Sequence, residues 1–339
     1  MPLQQFLHFR RKQNELVFRN LARLTQIGLH ACSAQDLLNQ LHPWNDDVSL
    51  KFDNGLPKFL IFIGIIAALF LLFLHAFSLL WYILLIVVLS LFFLAYLIYE
   101  QDDPILEVIK QLEEKMIELK YALNFGQTPC FESKNTSPVS FVAHIKSAFP
   151  CFEKGSVSNQ ISWYASSEWF NKNSEPVPVF IFKYSYVHDI QITDNEGNQI
   201  RIKRIEQNLY GIIVFSSTLN GLAISTQSKA IGFPYTVQWE SSDISINKQF
   251  DIYGIDELQL AKNLNPVLLL RLSEFFNHRE GELIFHVAQN MMCFLGNNAL
   301  FQIESKLTDI QDISSLRGHL RTLRLKHYEN LKKDFSKFL

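Results

Sequence analysis

The sequence contains no C-x-x-C pair, no H-E-x-x-H, no G-x-x-x-x-G-K-S/T and no G-x-G-x-x-G. Those absences set aside zinc-knuckle and dithiol redox chemistry, helix-borne zinc hydrolases, P-loop nucleotide hydrolases and the dinucleotide fingerprint, each of which needs its ligands at a fixed spacing. Cysteine is sparse: Cys32, Cys130, Cys151 and Cys293 are scattered, which fits reduced thiols in a cytosol rather than a disulfide framework. Neither sign of charge is in excess, with 31 Lys+Arg against 33 Asp+Glu, so no nucleic-acid partner is expected. There is no internal repeat.

What the chain does have is an uncharged apolar run from Phe59 to Tyr99, with His75, Ser78 and Ser90 as its clear polar interruptions. At roughly 1.5 Å per residue, a single helix of that length is about twice as long as a ~30 Å hydrocarbon core is thick. Two spans, Phe59 to Leu74 and Leu79 to Tyr99, fit better. The run begins too deep in the chain for a signal peptide, and no face of it is polar, as a soluble core helix would require. Arg10, Arg11, Lys12, Arg19, Arg23, Lys51 and Lys58 precede the first span, Lys110, Lys115 and Lys120 follow the second, and the turn carries none. By the positive-inside rule both ends are cytoplasmic.

The expected fold class is α+β: a two-helix transmembrane hairpin followed by a mixed, largely antiparallel soluble domain with flanking helices. Residues 1–57 form an N-terminal helical region, with Leu16, Val17, Leu21, Leu24, Ile27 and Gly28 at helical spacing and Ser33–Asp36 resembling a capping box. Two short helices in tandem admit a DNA-reading motif, but a basic segment ahead of a span is more often an interfacial helix or an orientation signal. Residues 58–100 hold the hairpin. Residues 101–126 form an amphipathic helix opened by Asp103-Pro104 and striped by Ile105, Val108, Ile109, Leu112, Met116, Leu119 and Leu123, with its stop near Asn124–Gly126. Its stripe should pack on the soluble domain or on the N-terminal helix.

The α+β domain is placed at 127–305. Val177–Tyr186 and Gln199–Ile205 read as a hairpin across a turn at 194–198, with more strands at Tyr210–Leu219, Tyr235–Glu240 and Lys248–Tyr253. Asp256 should cap a helix reaching Leu264, and Asn265-Pro266 should end it and start another, because Pro inside a helix removes a hydrogen bond and clashes with the preceding turn. Glu282–Ala288 and Met291–Leu295 read as a second hairpin. Residues 306–339 hold a long basic amphipathic helix from about Asp309 to Phe338, striped by Ile313, Leu316, Leu320, Leu323, Leu331, Phe335 and Phe338. It reads as a helix docked on its own domain, a surface for anionic lipid, or a coiled-coil contact with a protein partner or a second copy.

From Val237 onward the residues Val237-Gln238-Trp239-Glu240, Phe250-Asp251-Ile252-Tyr253, Asp256-Glu257, Ala261, Leu264-Asn265-Pro266, Leu269 and Arg271-Leu272 make a pattern that continues through Glu282–Leu295 to Leu300-Phe301. The pattern resembles a bacterial family of membrane-anchored proteins, domain of unknown function 3137, over the last third to half of the chain. A Gly- and Asp-containing stretch that the family would place near His188 is absent. The resemblance implies a tethered α+β domain and supplies no catalytic residues.

Among ten histidines, none has ligand spacing. His188-Asp189 at a strand end suggests a local hydrogen bond. His144 and Cys151 could share a helical face, but Pro150 intervenes. His278–Glu282 reads as a solvated turn, and His75 at the membrane turn reads as an interfacial anchor more readily than a proton relay. No catalytic, cofactor-binding or metal residue is therefore nominated, and no cofactor is expected. The expected function is a membrane-tethered cytoplasmic interaction or scaffold domain whose partners are the lipid bilayer and a protein or second copy. The alternative is a membrane-associated enzyme with a site assembled from residues distant in sequence.

Overall fold

The computed structural model describes residues 14–42, 49–73, 79–129, 137–193, 200–227, 231–305 and 310–339. The Arg10–Lys12 cluster, His75 and its turn, Cys130, the turn at 194–198 and the expected helix start at Asp309 lie outside them. The chain divides into two compact units, residues 1–120 with 305–323 and residues 121–304 with 324–339.

In the first unit, α1 (Glu15–His30) buries Val17, Leu21, Leu24 and Ile27, as the helical spacing predicts. Ser33 caps α2 (Ala34–Gln40) by accepting from the Asp36 amide, while the Asp36 carboxylate accepts from Cys32 N at 3.1 Å. Two apolar helices follow, α3 (Gly55–Phe73) and α4 (Leu79–Ile98). Among the described residues, the helical stretch containing α4 is the one long and apolar enough to cross a membrane, and α3 is shorter. The Asn54 side chain clasps Glu100, donating to its carbonyl at 2.9 Å and accepting from its amide at 3.0 Å. Then α5 (Asp103–Tyr121) buries Ile105, Ile109, Leu112 and Met116. Leu112 sits so close under Gly28 that a Cβ there would lie 3.1 Å from its methyl group. The stripe of α5 thus packs on the N-terminal helix. That helix stops at Tyr121, short of the expected Gly stop, because Ala122 turns to φ 51°.

In the second unit, nine strands among the described residues form one sheet, ordered β1-β2-β3-β4-β9-β8-β5-β7-β6 and antiparallel at every pairing. They are β1 (Asn124–Phe125), β2 (Ser158–Phe170), β3 (Pro176–Thr193), β4 (Ile200–Val214), β5 (Leu222–Ser225), β6 (Val237–Trp239), β7 (Asp251–Gly254), β8 (Gly281–Phe285) and β9 (Met292–Gly296). Side chains alternate across a strand, and here both faces are covered. Phe180, Phe182, Tyr184, Cys293 and Leu295 face a core shared with Phe141 and Ile145 of α6 (Pro138–Ala148) and with Phe149 and Phe152. Phe294 points the other way, into Phe275, Phe276 and Phe335.

Three expectations need correction. Gln199–Ile205 and Tyr210–Leu219 are not separate strands: β4 runs unbroken and pairs with β3 from end to end. Lys248–Tyr253 is not all strand. Asp243 accepts from Ser245 N at 2.8 Å and caps α7 (Ile244–Gln249), so only the end of the segment enters β7. The long C-terminal helix is two, α10 (Ile313–Thr322) in the first unit and α11 (Lys326–Phe335) in the second. Leu323 is extended, and Arg324 exchanges backbone hydrogen bonds with Glu304, each at 2.9 Å. The expected break at Pro266 is present. Asp256 caps α8 (Glu257–Asn263), and Asn265 accepts from Leu268 N at 2.8 Å to cap α9 (Pro266–Phe276).

Candidate functional site

The second unit holds a cleft of about 400 Å³ beside the α9–β8 turn and α11, within the usual range for small-ligand sites. Glu274 comes from the end of α9, and His278 and Arg279 from the turn that follows. Asn298 and Leu300 follow β9, and His327, Asn330, Lys333 and Asp334 lie along α11. Buried Phe294, Leu300 and Leu331 give the cleft an apolar floor.

An ion-pair chain stiffens its wall. Arg279 Nη2 meets Asp334 Oδ2 at 2.7 Å, Lys337 Nζ meets Asp334 Oδ1 at 3.3 Å, and the same ammonium meets Glu274 Oε2 at 3.0 Å. Arg279 also donates to Phe275 O at 3.0 Å and lies over the Phe275 ring, 4.9 Å from its centre. Both carboxylates are thus neutralised internally. By contrast, the side chains of Asn298, His327, Asn330 and Lys333 have no hydrogen-bond partner among the described residues. The solvated-turn reading of 278–282 holds for His278 and Glu280, which are exposed, and fails for Arg279 and Glu282. The Arg279 side chain is 9 % exposed, and buried Glu282 pairs with Lys154 at 2.7 Å.

The other sequence candidates separate. His188 lies inside β3 rather than at a strand end, opposite Ile205, with its ring edge-on to Tyr186; Asp189 pairs with Arg204 at 3.3 Å. His144 is exposed, whereas Cys151 is buried with its sulfur 4.0 Å from that of Cys293. Burial pushes the Cys151 thiol up, and the neighbouring Cys293 adds to the shift, which makes Cys151 a poor nucleophile. Cys32, Cys151 and Cys293 are all free thiols. Among the described residues, no group of three or more His, Cys, Asp or Glu could hold a metal ion.

His286, at the end of the β8 hairpin, was not singled out by sequence. Its Nδ1 accepts from Ala288 N at 3.1 Å and Gln289 N at 2.9 Å. Burial, and then the nearby His144, hold its pKa below the ordinary histidine value. The unfolded chain therefore takes up the proton first, and stability present above about pH 6.5 is lost as pH falls through the depressed native value. His286→Asn keeps a side-chain acceptor for the turn without a proton to gain. Urea midpoints from pH 8 to pH 5 should fall less steeply for the variant than for the parent chain.

The first unit holds a relay that sequence spacing could not show. His319 Nε2 lies 2.6 Å from Glu113 Oε1, and its Nδ1 lies 2.8 Å from Ser305 Oγ. With the proton on Nε2 facing the carboxylate, Nδ1 is the acceptor for the serine hydroxyl, the protonation pattern of a nucleophile–base–acid triad. Ser305 Oγ also lies 3.3 Å from Thr322 Oγ1.

Comparison with known proteins finds no matching family model, no matching curated protein and no matching solved structure.

Proposed function

We propose that this chain is a membrane-tethered interaction or scaffold domain, held in the inner membrane of a bacterium by the α3 and α4 spans with both ends in the cytoplasm. The observation that supports this most is the character of α4: Leu80, Ile83, Ile86, Leu89, Phe93 and Tyr96 stand exposed on a helix with no charged residue. An apolar surface of that extent needs a cover, and lipid supplies one along a helix of bilayer length. The placement of Lys and Arg outside the turn favours the cytoplasmic side. The resemblance from Val237 to Phe301 points to the same kind of tethered protein. Exposed Leu258 on α8 and Val267 and Leu270 on α9 offer apolar surface to a partner.

Topology tests the proposal directly. Single cysteines placed by Phe77→Cys and Ser336→Cys, in a chain lacking the native four, are exposed to a membrane-impermeant thiol reagent on intact cells. Phe77→Cys should react, and Ser336→Cys should react only after lysis. Labelling of Ser336→Cys in intact cells would sink the cytoplasmic assignment.

A second reading, an enzyme acting at the membrane, is favoured by the Glu113–His319–Ser305 relay. Under the scaffold reading the relay ties α5 to α10, and a fluorophosphonate probe should leave Ser305 unmodified. Modification that disappears in Ser305→Ala would decide for the enzyme.

A further inference from the structure

We infer that the cleft between the α9–β8 turn and α11 is a binding site for a phosphate monoester with a small apolar body. The inference does not depend on the membrane tether. Its first support is charge. The cleft's two carboxylates, Glu274 and Asp334, are already engaged by Lys337 and Arg279 at 2.7–3.3 Å, so they offer little to a cation. Lys333 remains as an uncompensated positive charge on the lining.

The second support is the balance of hydrogen-bonding groups. Lys333, His327, Asn298 and Asn330 line the same cleft and none has a partner among the described residues. Asn330 and Lys333 are exposed and Asn298 and His327 half-buried, so all four polar groups are open to a ligand entering the concavity. These are separate single donors around one point charge. They differ from the planar guanidinium fork that recognises carboxylates, and the cleft's one arginine is committed to Asp334. A phosphate monoester presents three strong acceptor oxygens and more than one negative charge at neutral pH, which matches that set. The third support is shape. Phe294, Leu300 and Leu331 leave an apolar floor beneath the donors, room for a body such as a phenyl ring or the start of an acyl chain.

The same headgroup chemistry can come from a soluble metabolite or from a lipid such as phosphatidic acid, and the test separates them. Calorimetric titration of the full chain in detergent micelles with phenyl phosphate should show saturable binding, stronger than that of inorganic phosphate, with phenol silent and benzoate weaker. Lys333→Ala should weaken phenyl phosphate by about tenfold or more, the usual worth of one hydrogen bond to a charged group. Asn298→Asp, which sets a carboxylate among the donors, should abolish binding, and Lys333→Arg should largely retain it. Thermal melts equal to the parent chain's establish that each variant is folded. In nanodiscs, competition of phenyl phosphate by phosphatidic acid but not by phosphatidylglycerol, a diester, assigns the lipid source; no competition by either assigns the soluble one. Binding unchanged by both Lys333→Ala and Asn298→Asp, benzoate equal to phenyl phosphate, or no binding by the parent chain would each overturn the inference.

Discussion

Gly281→Ala should leave the second unit unable to fold. Gly281 opens β8 at φ 152°, and a Cβ built there would lie 2.2 Å from Leu295 O and 2.7 Å from Gly296 Cα. Both obstacles are backbone atoms of β9, its hydrogen-bonded neighbour, so no side chain can swing aside. Relief would require parting the two strands at the centre of the sheet, a cost above about 4 kcal/mol. The position also sets the exit of the turn that carries His278 and Arg279 to the cleft. Circular dichroism and soluble yield are the measurements. A melting midpoint within a few degrees of the parent chain's would show that the strands can separate locally and that this account of the turn is wrong.

Phe335→Ala should cost about 3–5 kcal/mol. Phe335 is completely buried, and its ring meets Phe275 at 5.5 Å, Trp169 at 6.1 Å and Phe294 at 6.5 Å. It therefore anchors α11 to the sheet through both β2 and β9. Tyr328 is a second anchor, accepting from Trp169 Nε1 at 3.1 Å, and Leu331 is the third. Since α11 also forms one wall of the cleft, the loss should appear twice: as a lower urea midpoint and as weaker phenyl phosphate binding at denaturant concentrations where the parent chain is intact. Phe335→Leu should recover most of both, because it restores apolar volume. A Phe335→Ala chain with unchanged midpoint would mean that α11 is held by its ion pairs rather than by its rings.

What could be read from the sequence was what is decided locally. Asp256 and Asn265 announce their helices because a cap binds an amide two or three residues on, and the long aromatic strands announce themselves by composition. From sequence a strand is expected to open at Lys248 and no element at 243–247, because Ile244-Ser245-Ile246-Asn247 carries no helical stripe and only the Asp243 cap marks the start of α7. The break between α10 and α11 was hidden for a different reason. Leu316, Leu320, Leu323 and Leu331 are all buried, so the stripe persists across the break, and neither Gly nor Pro marks it. The cause is tertiary, the pairing of Arg324 with Glu304. The cleft was illegible for the same reason. Arg279 and Asp334 are distant in the chain, and nothing near Arg279 tells that it is buried. The Glu113–His319–Ser305 relay likewise joins a residue read as the polar face of one helix to a residue on the buried side of another.

The order in which the chain visits its two units has a consequence for biogenesis. Residues 1–120 leave the ribosome first, but their unit is incomplete until residues 305–323 supply α10 with Ile313, Leu316 and Leu320. Domains usually fold as they emerge, N-terminal first. Here the earliest-made unit must wait, partly open, for nearly the whole remainder to be translated, while the intervening sheet can assemble in the meantime. The helices of the first unit would then be the last part of the molecule to close. A stop codon after residue 304 would leave that unit without the buried Ile313, Leu316 and Leu320, an uncovered apolar face of the kind quality-control proteases recognise, so loss of residues 305–323 should be read in cells as loss of the whole chain.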